Sequence, residues 1–248
     1  MSGFVRVSCY VAALLSISMA APAAAEDLGG GFTVNGGATV VSDYRFRGIS
    51  QTDKRFAIQG TFTVGHSSGV YGSVWGSSID DYVAAGADAE LDLIFGYKKT
   101  FGSTTIDGGL LYYYYPGSGG ANTDFAEPYL KISQAMGAAT LTGTIAYAPK
   151  QKALTVGNGK EDNLYLAGDL GYAIPKTPVS LTAHFGHSFG PSYLTIGDGY
   201  SDWSLGATVT HKNLSAGISY VDTNKSLYSP SGRNISKAGV VATLGVAF

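Results

Sequence analysis

The feature that most constrains this fold is a regular alternation of apolar with small or polar side chains, repeated in segments of about ten residues. In the clearest segment, residues 90–98, one face carries Leu91, Leu93, Phe95 and Tyr97, and the other carries Glu90, Asp92, Gly96 and Lys98. The same period recurs in residues 105–114, 163–172, 179–186 and 203–210. Because successive side chains of a β-strand point to opposite faces, each segment predicts a strand with one apolar and one polar face.

Over its whole length the sequence predicts twelve strands, joined by connections that are alternately long and short. The first and last connections are both long, so twelve antiparallel strands bring the two termini together on the side of the short connections. Short turns on one side and longer loops on the other are typical of outer-membrane barrels. The strands are predicted at residues 32–45, 56–66, 70–80, 90–101, 104–115, 125–134, 139–149, 162–173, 178–189, 201–211, 214–222 and 236–248.

Two of these strands do not show from the sequence which of their faces is apolar. In the third strand, Val70 and Val74 compete with Tyr71 and Trp75 for the apolar face. The sixth strand has the same ambiguity, because Leu and Ile on one face compete with Tyr129 on the other.

A soluble β-sandwich or lipocalin-type barrel would show the same alternation, so composition has to separate these classes from a membrane barrel. Only 14% of the residues are charged, where soluble domains carry about 25%. The polar faces are mostly Thr, Ser, Gly and Asn, which are too weakly charged for a water-exposed surface of this size. Aromatic residues gather at strand ends, as in the girdles at membrane interfaces. The girdle is predicted to include Tyr112 to Tyr115, Tyr71, Phe101, Tyr172 and Phe185.

The C-terminus also favours a membrane barrel. The last strand presents an apolar stripe from Val240 to the terminal Phe248. Such an ending resembles the signal by which outer-membrane proteins are recognised by the barrel assembly machinery, so Phe248 is the candidate assembly residue. The fold class we predict is all-β, a transmembrane antiparallel up-and-down β-barrel of twelve strands. A closed sheet is the arrangement by which strands pair every backbone group within lipid.

The N-terminus reads as a targeting segment. Arg6 precedes a short apolar run, and residues 23–25 are three alanines in the pattern of a cleavage site. We therefore expect residues 1–25 to be a cleaved signal peptide and residues 26–248 to form a single outer-membrane barrel domain. Cleavage would remove Cys9, the only cysteine, so no disulfide is expected in the mature chain.

Residues 42–59, SDYRFRGISQTDKRFAIQ, resemble the signature of the TorF family of porins. Further matches are HSSGVY at 66–71, VWGS at 74–77, ELDL at 90–93 and YYYYPG at 112–117. The resemblance implies an outer-membrane barrel of a Gram-negative bacterium and a pore. It implies no particular substrate and no catalytic residues.

The alternation also assigns charged residues to the lumen. Facing lipid at the barrel midplane, an Arg or Lys would cost roughly 2–4 kcal/mol, so inward positions are favoured. These charges either line an aqueous pore or pair across a narrow lumen and hold it shut. Six acids against three bases, or four with Arg47 at the mouth, indicate a weak cation preference. The candidate pore-lining residues are Asp43, Arg45, Arg47, Glu90, Asp92, Lys98, Asp107, Glu127, Lys131 and Asp169.

The first long connection is rich in charge, with Arg47, Asp53, Lys54 and Arg55 close together. It could fold inward as a constriction, or it could be a surface loop whose cations meet lipopolysaccharide phosphates. We favour the surface loop, and we interpret the lysines of residues 150–160 in the same way.

Enzymatic function finds little support in the sequence. His184, His187 and Ser188 are close together, but on a strand His184 and His187 point to opposite faces, as do His187 and Ser188. No hydrolase or metalloprotease motif is present. We therefore predict that the protein is not an enzyme, with no catalytic residues, cofactor or metal site.

We expect a porin-like channel for passive diffusion of small polar solutes or ions. The alternative is a non-conducting structural or surface-binding barrel with a filled lumen, and an outer-membrane lipid hydrolase is a distant third. The expected partners are outer-membrane lipid and lipopolysaccharide, the barrel assembly machinery and small solutes. With a formal charge of −2, the chain lacks the excess of basic residues typical of proteins that bind nucleic acid, so no nucleic acid partner is expected.

Overall fold

Strands account for most of the structure, a computed structural model that describes residues 26–157 and 159–248. The predicted signal peptide, residues 1–25, lies outside the described residues. The strands are β1 (Glu26–Gly29), β2 (Phe32–Val41), β3 (Arg45–Phe46), β4 (Ile49–Ser50), β5 (Ala57–His66), β6 (Val70–Ser78), β7 (Ala89–Phe101), β8 (Thr104–Tyr114), β9 (Phe125–Met136), β10 (Ala139–Val156), β11 (Gly159–Ala173), β12 (Val179–Phe189), β13 (Tyr200–His211), β14 (Leu214–Thr223) and β15 (Gly239–Ala247).

Twelve of these strands, β2 and β5 to β15, form one closed antiparallel barrel in which chain neighbours pair. The barrel closes where β15 pairs with β2, from Thr243 opposite Val41 to Ala247 opposite Gly37. β1 pairs with the start of β2, and β3 and β4 form a small hairpin within the first long connection. The predicted twelve-stranded all-β barrel is therefore confirmed.

Within residues 26–157 and 159–248, no helix is long and apolar enough to cross a membrane.

The largest differences between predicted and observed strand boundaries lie at two connections. The first barrel strand was expected to reach residue 45 but ends at Val41, because the chain then turns away from the barrel wall. The connection expected at 150–161 is largely strand, because β10 continues to Val156 and β11 begins at Gly159. There the two strands pair past an irregularity near Gln151, which satisfies backbone groups that a loop would leave to water.

The apolar faces of the strands point outward and the polar faces point into the lumen. Both ambiguous strands are settled by the structure. In β6, Val70 and Val74 are exposed on the outside, while Tyr71 and Trp75 are buried inside. In β9, Tyr129 points inward.

Three tyrosines expected in the outer girdle lie in the lumen instead, so that part of the prediction was wrong. Tyr71, Tyr113 and Tyr115 are all less than 9% exposed. The physical reason is the phenol hydroxyl, which finds acceptors inside the barrel. The Tyr71 hydroxyl donates to Asp107 at 2.7 Å, whereas an outward position would offer only lipid.

The tyrosine rings in the lumen lie across glycines of the neighbouring strand. A Cβ atom at Gly96 would come within 2.7 Å of the Tyr71 ring, and one at Gly109 would meet the Tyr129 hydroxyl at 2.7 Å. Glycine on the inner face therefore makes room for large aromatic side chains in a narrow lumen.

The terminal residue closes the barrel seam. The Phe248 N–H donates to the Gly36 carbonyl at 2.9 Å, and the Gly36 N–H donates to the Phe248 carbonyl at 2.8 Å. The Phe248 ring is 61% exposed on the outer surface.

Deleting Phe248 should reduce the amount of SDS-resistant, heat-modifiable barrel several-fold, because it removes the two backbone hydrogen bonds that Phe248 forms with Gly36 across the seam. Phe248→Ala keeps both backbone bonds and loses only the ring. If the ring is the assembly signal, Phe248→Ala should refold normally in detergent but insert poorly in cells. Normal insertion of both variants would contradict the assigned role of this residue.

Candidate functional site

The lumen has two unlike halves. The lower half lies where the chain termini and short turns are, and the upper half lies where the long connections are. Inward residues of β12 to β15 in the lower half are only partly buried, so water reaches them. They are glycines and small hydroxyl residues, and the hydroxyl residues include Thr182, Ser204, Thr208, Ser215 and Ser219.

The upper half is filled by part of the first long connection, residues 42–53, which we call the plug. The Tyr44 hydroxyl donates to Glu90 of β7 at 2.8 Å. Phe46 packs edge-on against Tyr113 of β8, with 5.9 Å between ring centres. At Gly48 a Cβ atom would overlap the Thr223 side chain of β14, so only glycine fits there. The plug therefore touches strands on opposite sides of the barrel.

Arg47 is the central side chain of the plug. Its Nη2 lies 2.6 Å from Oε1 of Glu127, and its Nη1 donates to Oδ1 of Asn163 at 2.9 Å. The guanidinium lies 4.1 Å from the centre of the Tyr165 ring and 4.8 Å from that of Phe46. Hydrogen bonds from two nitrogens of one guanidinium, one of them to a carboxylate, hold the group strongly when aromatic rings also lie over its plane. We call Glu127, Asn163 and Tyr165 the cradle.

The barrel wall orients the cradle. The Tyr113 hydroxyl donates to the second oxygen of Glu127 at 3.2 Å. Ser188 donates to Oδ1 of Asn163 at 3.1 Å, and Nδ2 of Asn163 donates to the Phe189 carbonyl at 2.8 Å. Wall groups therefore fix the orientation of both the carboxylate and the amide.

The preference for a surface loop at the first long connection was wrong for Arg47 and Asp53. Arg47 is 9% exposed and Asp53 is 5% exposed, because the chain folds inward. Arg55, just beyond the plug, does stay at the surface and pairs with Asp80. A sequence pattern could not show this, since a buried arginine and an exposed one look alike until their partners are placed.

Asp43 and Arg45 were predicted to face the lumen from a strand, and that placement was wrong because β2 ends before them. They lie in the plug, where Nε of Arg45 is 2.6 Å from Asp43. Arg45 also donates to the Ile235 carbonyl at 3.2 Å, and Ser50 donates to Asp43 at 2.6 Å. Arg45 therefore anchors the plug to the last long connection, and Asp43 orients the Arg45 side chain from within the plug.

Asp53 forms a second contact between the plug and the last long connection, residues 224–238. Although burial alone would raise the pKa of the Asp53 carboxyl, hydrogen bonds from Ser229 and Ser231 and the charges of Arg233 and Arg55 lower it below its usual value. The two hydroxyls donate at 2.7 and 2.9 Å. The folded form therefore favours the ionised carboxylate.

This pKa shift predicts a pH-dependent contact. Because the folded-state pKa is lowered, the stabilisation is present above the unfolded pKa of about 4 and is lost as pH falls through the folded value. Amide hydrogen exchange in residues 224–238, corrected for intrinsic rates, should therefore rise relative to the barrel wall between pH 6 and pH 3. Asp53→Asn should show the faster exchange at both pH values. If the ratio of exchange in residues 224–238 to exchange in the barrel wall did not change with pH in the parent protein, the contact made by ionised Asp53 would be refuted.

Beside the plug lie two acids that no base neutralises in the described residues. Glu90 accepts the hydrogen bond from Tyr44. Asp92 is fully buried, and neither of its carboxylate oxygens has a hydrogen-bond partner among the described residues. In the sheet register Asp92 stands between Trp75 and Tyr113. A buried carboxyl without a donor is costly to ionise, so a proton or a cation taken up at this site would stabilise it.

Lower in the barrel, charges alternate across three strands. Lys98, Asp107 and Lys131 stand opposite one another in the register of β7, β8 and β9. Asp107 also accepts the hydrogen bond from Tyr71, and the Tyr129 hydroxyl lies within hydrogen-bond distance of Tyr71. In this row each lysine lies next to the Asp107 carboxylate, and the Tyr71 and Tyr129 hydroxyls add hydrogen bonds.

A histidine joins two acids of the lumen. In His184, Nδ1 lies 2.7 Å from Asp169 and Nε2 lies 3.0 Å from Asp202. A protonated imidazole, which donates from both nitrogens, satisfies this arrangement. The Tyr165 hydroxyl donates to Asp202 at 3.2 Å. The sequence prediction omitted Asp202 and His184, although the alternation around Trp203 places Asp202 on the inner face.

The candidate residues thus fall into three groups. The plug carries Asp43, Arg45 and Arg47, the plug level of the wall carries Glu90, Asp92 and Glu127, and the lower lumen carries Lys98, Asp107, Lys131 and Asp169. The seven wall residues all share the inner face that the alternation predicts. Whether they line a conducting pore stays a prediction.

The residues considered for a hydrolase do not converge. The structure places His184 inside the barrel, whereas His187 is on the outer face with its ring 2.8 Å from the Ser201 hydroxyl. Ser188 points inward to Asn163. Among the described residues, no group of three or more His, Cys, Asp and Glu could hold a metal ion.

The profile of a family described as "Bacterial protein of unknown function (Gcw_chp)" matches residues 24–248. The TorF resemblance stays a prediction, because the matching profile has a different description. No curated protein sequence matches the chain.

Several solved structures share the fold. The NanC porin has a TM-score of 0.58 and 14% identity, with 87% of this chain and 98% of that chain covered. The KdgM porin has a TM-score of 0.54 and 11% identity, with 87% and 97% covered. The COG4313 outer membrane channel from Pseudomonas putida F1 has a TM-score of 0.53 and 11% identity, with 91% and 98% covered. At these identities the similarity shows the fold alone.

Proposed function

The chain belongs to the Gcw_chp family of bacterial proteins of unknown function, and from that premise we propose that it is an outer-membrane porin-like channel closed by its plug in this conformation. The solutes would be small and polar, and they would pass by diffusion. The proposal rests on no substrate of a neighbouring protein.

The observation that carries the proposal is that a loop, and not the wall, fills the upper half. Arg47 reaches Glu127 and Asn163 across 80 and 116 positions of sequence, through side-chain contacts. The wall keeps its own continuous backbone ladder around the barrel. The plug can therefore leave without breaking a strand pair, and its departure would join the upper half to the water-accessible lower half.

The charge of the lumen favours cations as the solutes. Glu90 and Asp92 have no base as a partner among the described residues, and they stand beside the plug, where water entering an open lumen would ionise them. Rings of acidic side chains favour cations in channels. A structure similar to this chain is described as the KdgM porin in complex with disordered oligogalacturonate, and that acidic sugar does not suit this lumen.

The second candidate function is a non-conducting barrel, and one observation favours it. Tyr44, Tyr113 and Glu127, at the level of the plug, are at most 1% exposed. A plug this well packed could be a permanent part of the barrel. The protein would then act through its long connections.

The outer-membrane location and partners belong to the same proposal. Lys54, Arg55 and Lys237 lie near the upper rim and are at least partly exposed. Cations at this level suit the phosphates of lipopolysaccharide, and Phe248 suits recognition by the assembly machinery.

The test is single-channel recording of the refolded protein in a planar bilayer with a salt gradient. Heat-modifiable mobility shows separately that the protein is folded. We expect brief conductance steps from opening of the plug, with a reversal potential on the cation side. A folded protein that stays silent even after the plug is removed would establish the filled barrel instead.

A further inference from the structure

The cradle has the properties of a receptor for a planar cation. Glu127 is 0% exposed and Asn163 is 1% exposed, so the charge and the amide that contact Arg47 are held away from water. Because Tyr113, Ser188 and the Phe189 carbonyl bond to them from the wall, the cradle does not depend on Arg47 for its shape. Such preorganisation lowers the cost of binding.

The shape of the cradle suits a guanidinium better than a simple ion. Glu127 and Asn163 each accept one N–H from a different nitrogen of Arg47. The Tyr165 ring covers the guanidinium at 4.1 Å. Two acceptors matched to a planar fork, with an aromatic face above it, discriminate a guanidinium from a spherical cation.

The surroundings add negative charge. Asp92 is buried and without a hydrogen-bond partner in the described part of the chain, on the strand that also carries Glu90. Arg47 neutralises Glu127, whereas no base among the described residues neutralises Glu90 or Asp92, whose ionised forms a cation would stabilise. A second cation, or one more extended than Arg47, would therefore be attracted to this level of the lumen.

Arg47 is tied to the cradle through the chain, at a backbone φ of 46° next to Gly48. A tethered group competes as though it were present at about millimolar concentration or more. A free ligand at a sufficient concentration can take its place, and the plug then loses its central contact.

We propose that the cradle is a binding site for organic cations bearing a guanidinium group, and that Arg47 occupies it as a built-in substitute for the solute. This inference rests on the proposed channel for its role in permeation, but the binding site itself does not. A guanidinium-bearing solute would displace Arg47, open the plug and pass the same acids.

The experiment uses Arg47→Ala to empty the cradle in the full-length folded barrel. Calorimetric titration in detergent compares methylguanidinium with N-methylurea, which has a similar planar shape but no charge. We expect methylguanidinium to bind saturably and N-methylurea not to bind. In the parent protein the same titration should be at least about tenfold weaker, because Arg47 competes.

Two further variants show that the binding is at the cradle. Adding Glu127→Gln to Arg47→Ala should weaken methylguanidinium binding at least about tenfold, since it removes the charged acceptor. Adding Asp162→Asn is the matched control. Asp162 precedes Asn163 on β11, faces outward and bonds to Tyr147, so the same loss of charge there should leave binding unchanged.

Recording the current of Arg47→Ala in a bilayer separates the inference from the proposed function. If methylguanidinium blocks the current and Glu127→Gln weakens this block, both the binding site and the channel would be supported. Saturable binding by a folded barrel that carries no current would support the site and refute the channel. A current with no difference between methylguanidinium and N-methylurea, and no saturable binding, would overturn the site and leave the channel standing.

Discussion

Replacing Phe46 and Arg47 together with glycine should turn brief conductance steps into long-lived open states with a several-fold higher mean current. The two changes remove the edge-on contact with Tyr113 and the fork on Glu127 and Asn163, without shortening the loop. The plug would then lose most of its hold on β8, β9 and β11, and the lower chamber would connect to the outside. Single-channel recording measures the effect.

The chain offers a matched control for this variant. Arg55 and Phe56 are the same two residue types in the same loop, but both are exposed, Phe56 to 75%. Replacing both with glycine should leave mean current unchanged. Equal effects of the two double substitutions on mean current would mean that general loosening of the loop is responsible. That result would contradict the role assigned to the plug.

Asp92→Asn should stabilise the folded barrel, by about 1–3 kcal/mol. The substitution keeps the size of the side chain and removes a buried carboxyl. That carboxyl must either take up a proton at neutral pH or keep a charge that has no hydrogen-bond partner among the described residues, and both are costly. The substitution also removes the repulsion between that charge and Glu90. Urea unfolding in lipid vesicles, followed by tryptophan fluorescence, gives the change in the free energy of unfolding.

Asp107→Asn is the comparison, and it should have the opposite sign. Asp107 accepts a hydrogen bond from Tyr71 and stands between two lysines in the register. Loss of its charge leaves those lysines less well compensated, so the barrel should become less stable. If Asp92→Asn destabilised the barrel as Asp107→Asn does, the Asp92 carboxylate would have to be satisfied in the folded protein.

The two predictions concern one physical feature, the high cost of closing the upper lumen. The plug buries Asp92 and brings Glu90 and Glu127 into a region that water does not reach. Arg47 offsets one of these charges. A closed state that buries these carboxyls at such a cost would be less strongly favoured over an open one, and this is why we propose a gate and not a permanent filling.

The barrel wall was largely predictable. The twelve strands and the side on which the termini lie follow from period-two patterns and connection lengths, which are local properties of the chain. Even the inner face of Asp169 or Lys98 follows from the position of its apolar neighbours. The errors in the wall are local too, as with Tyr71, whose ring suits an interface but whose hydroxyl suits the lumen.

The sequence by itself determined a membrane-type barrel with a polar, mostly acidic lumen, because in ten of the twelve strands alternation decides the face of a residue without reference to any other strand. It did not determine where residues 42–53 go, since that loop has no period and its composition suits a surface equally well. Only the tertiary structure placed Arg47 on Glu127 and Asn163, which come from two strands far along the chain. The position of a loop depends on which distant side chains can desolvate and pair with it, and those partners become neighbours only when the barrel closes.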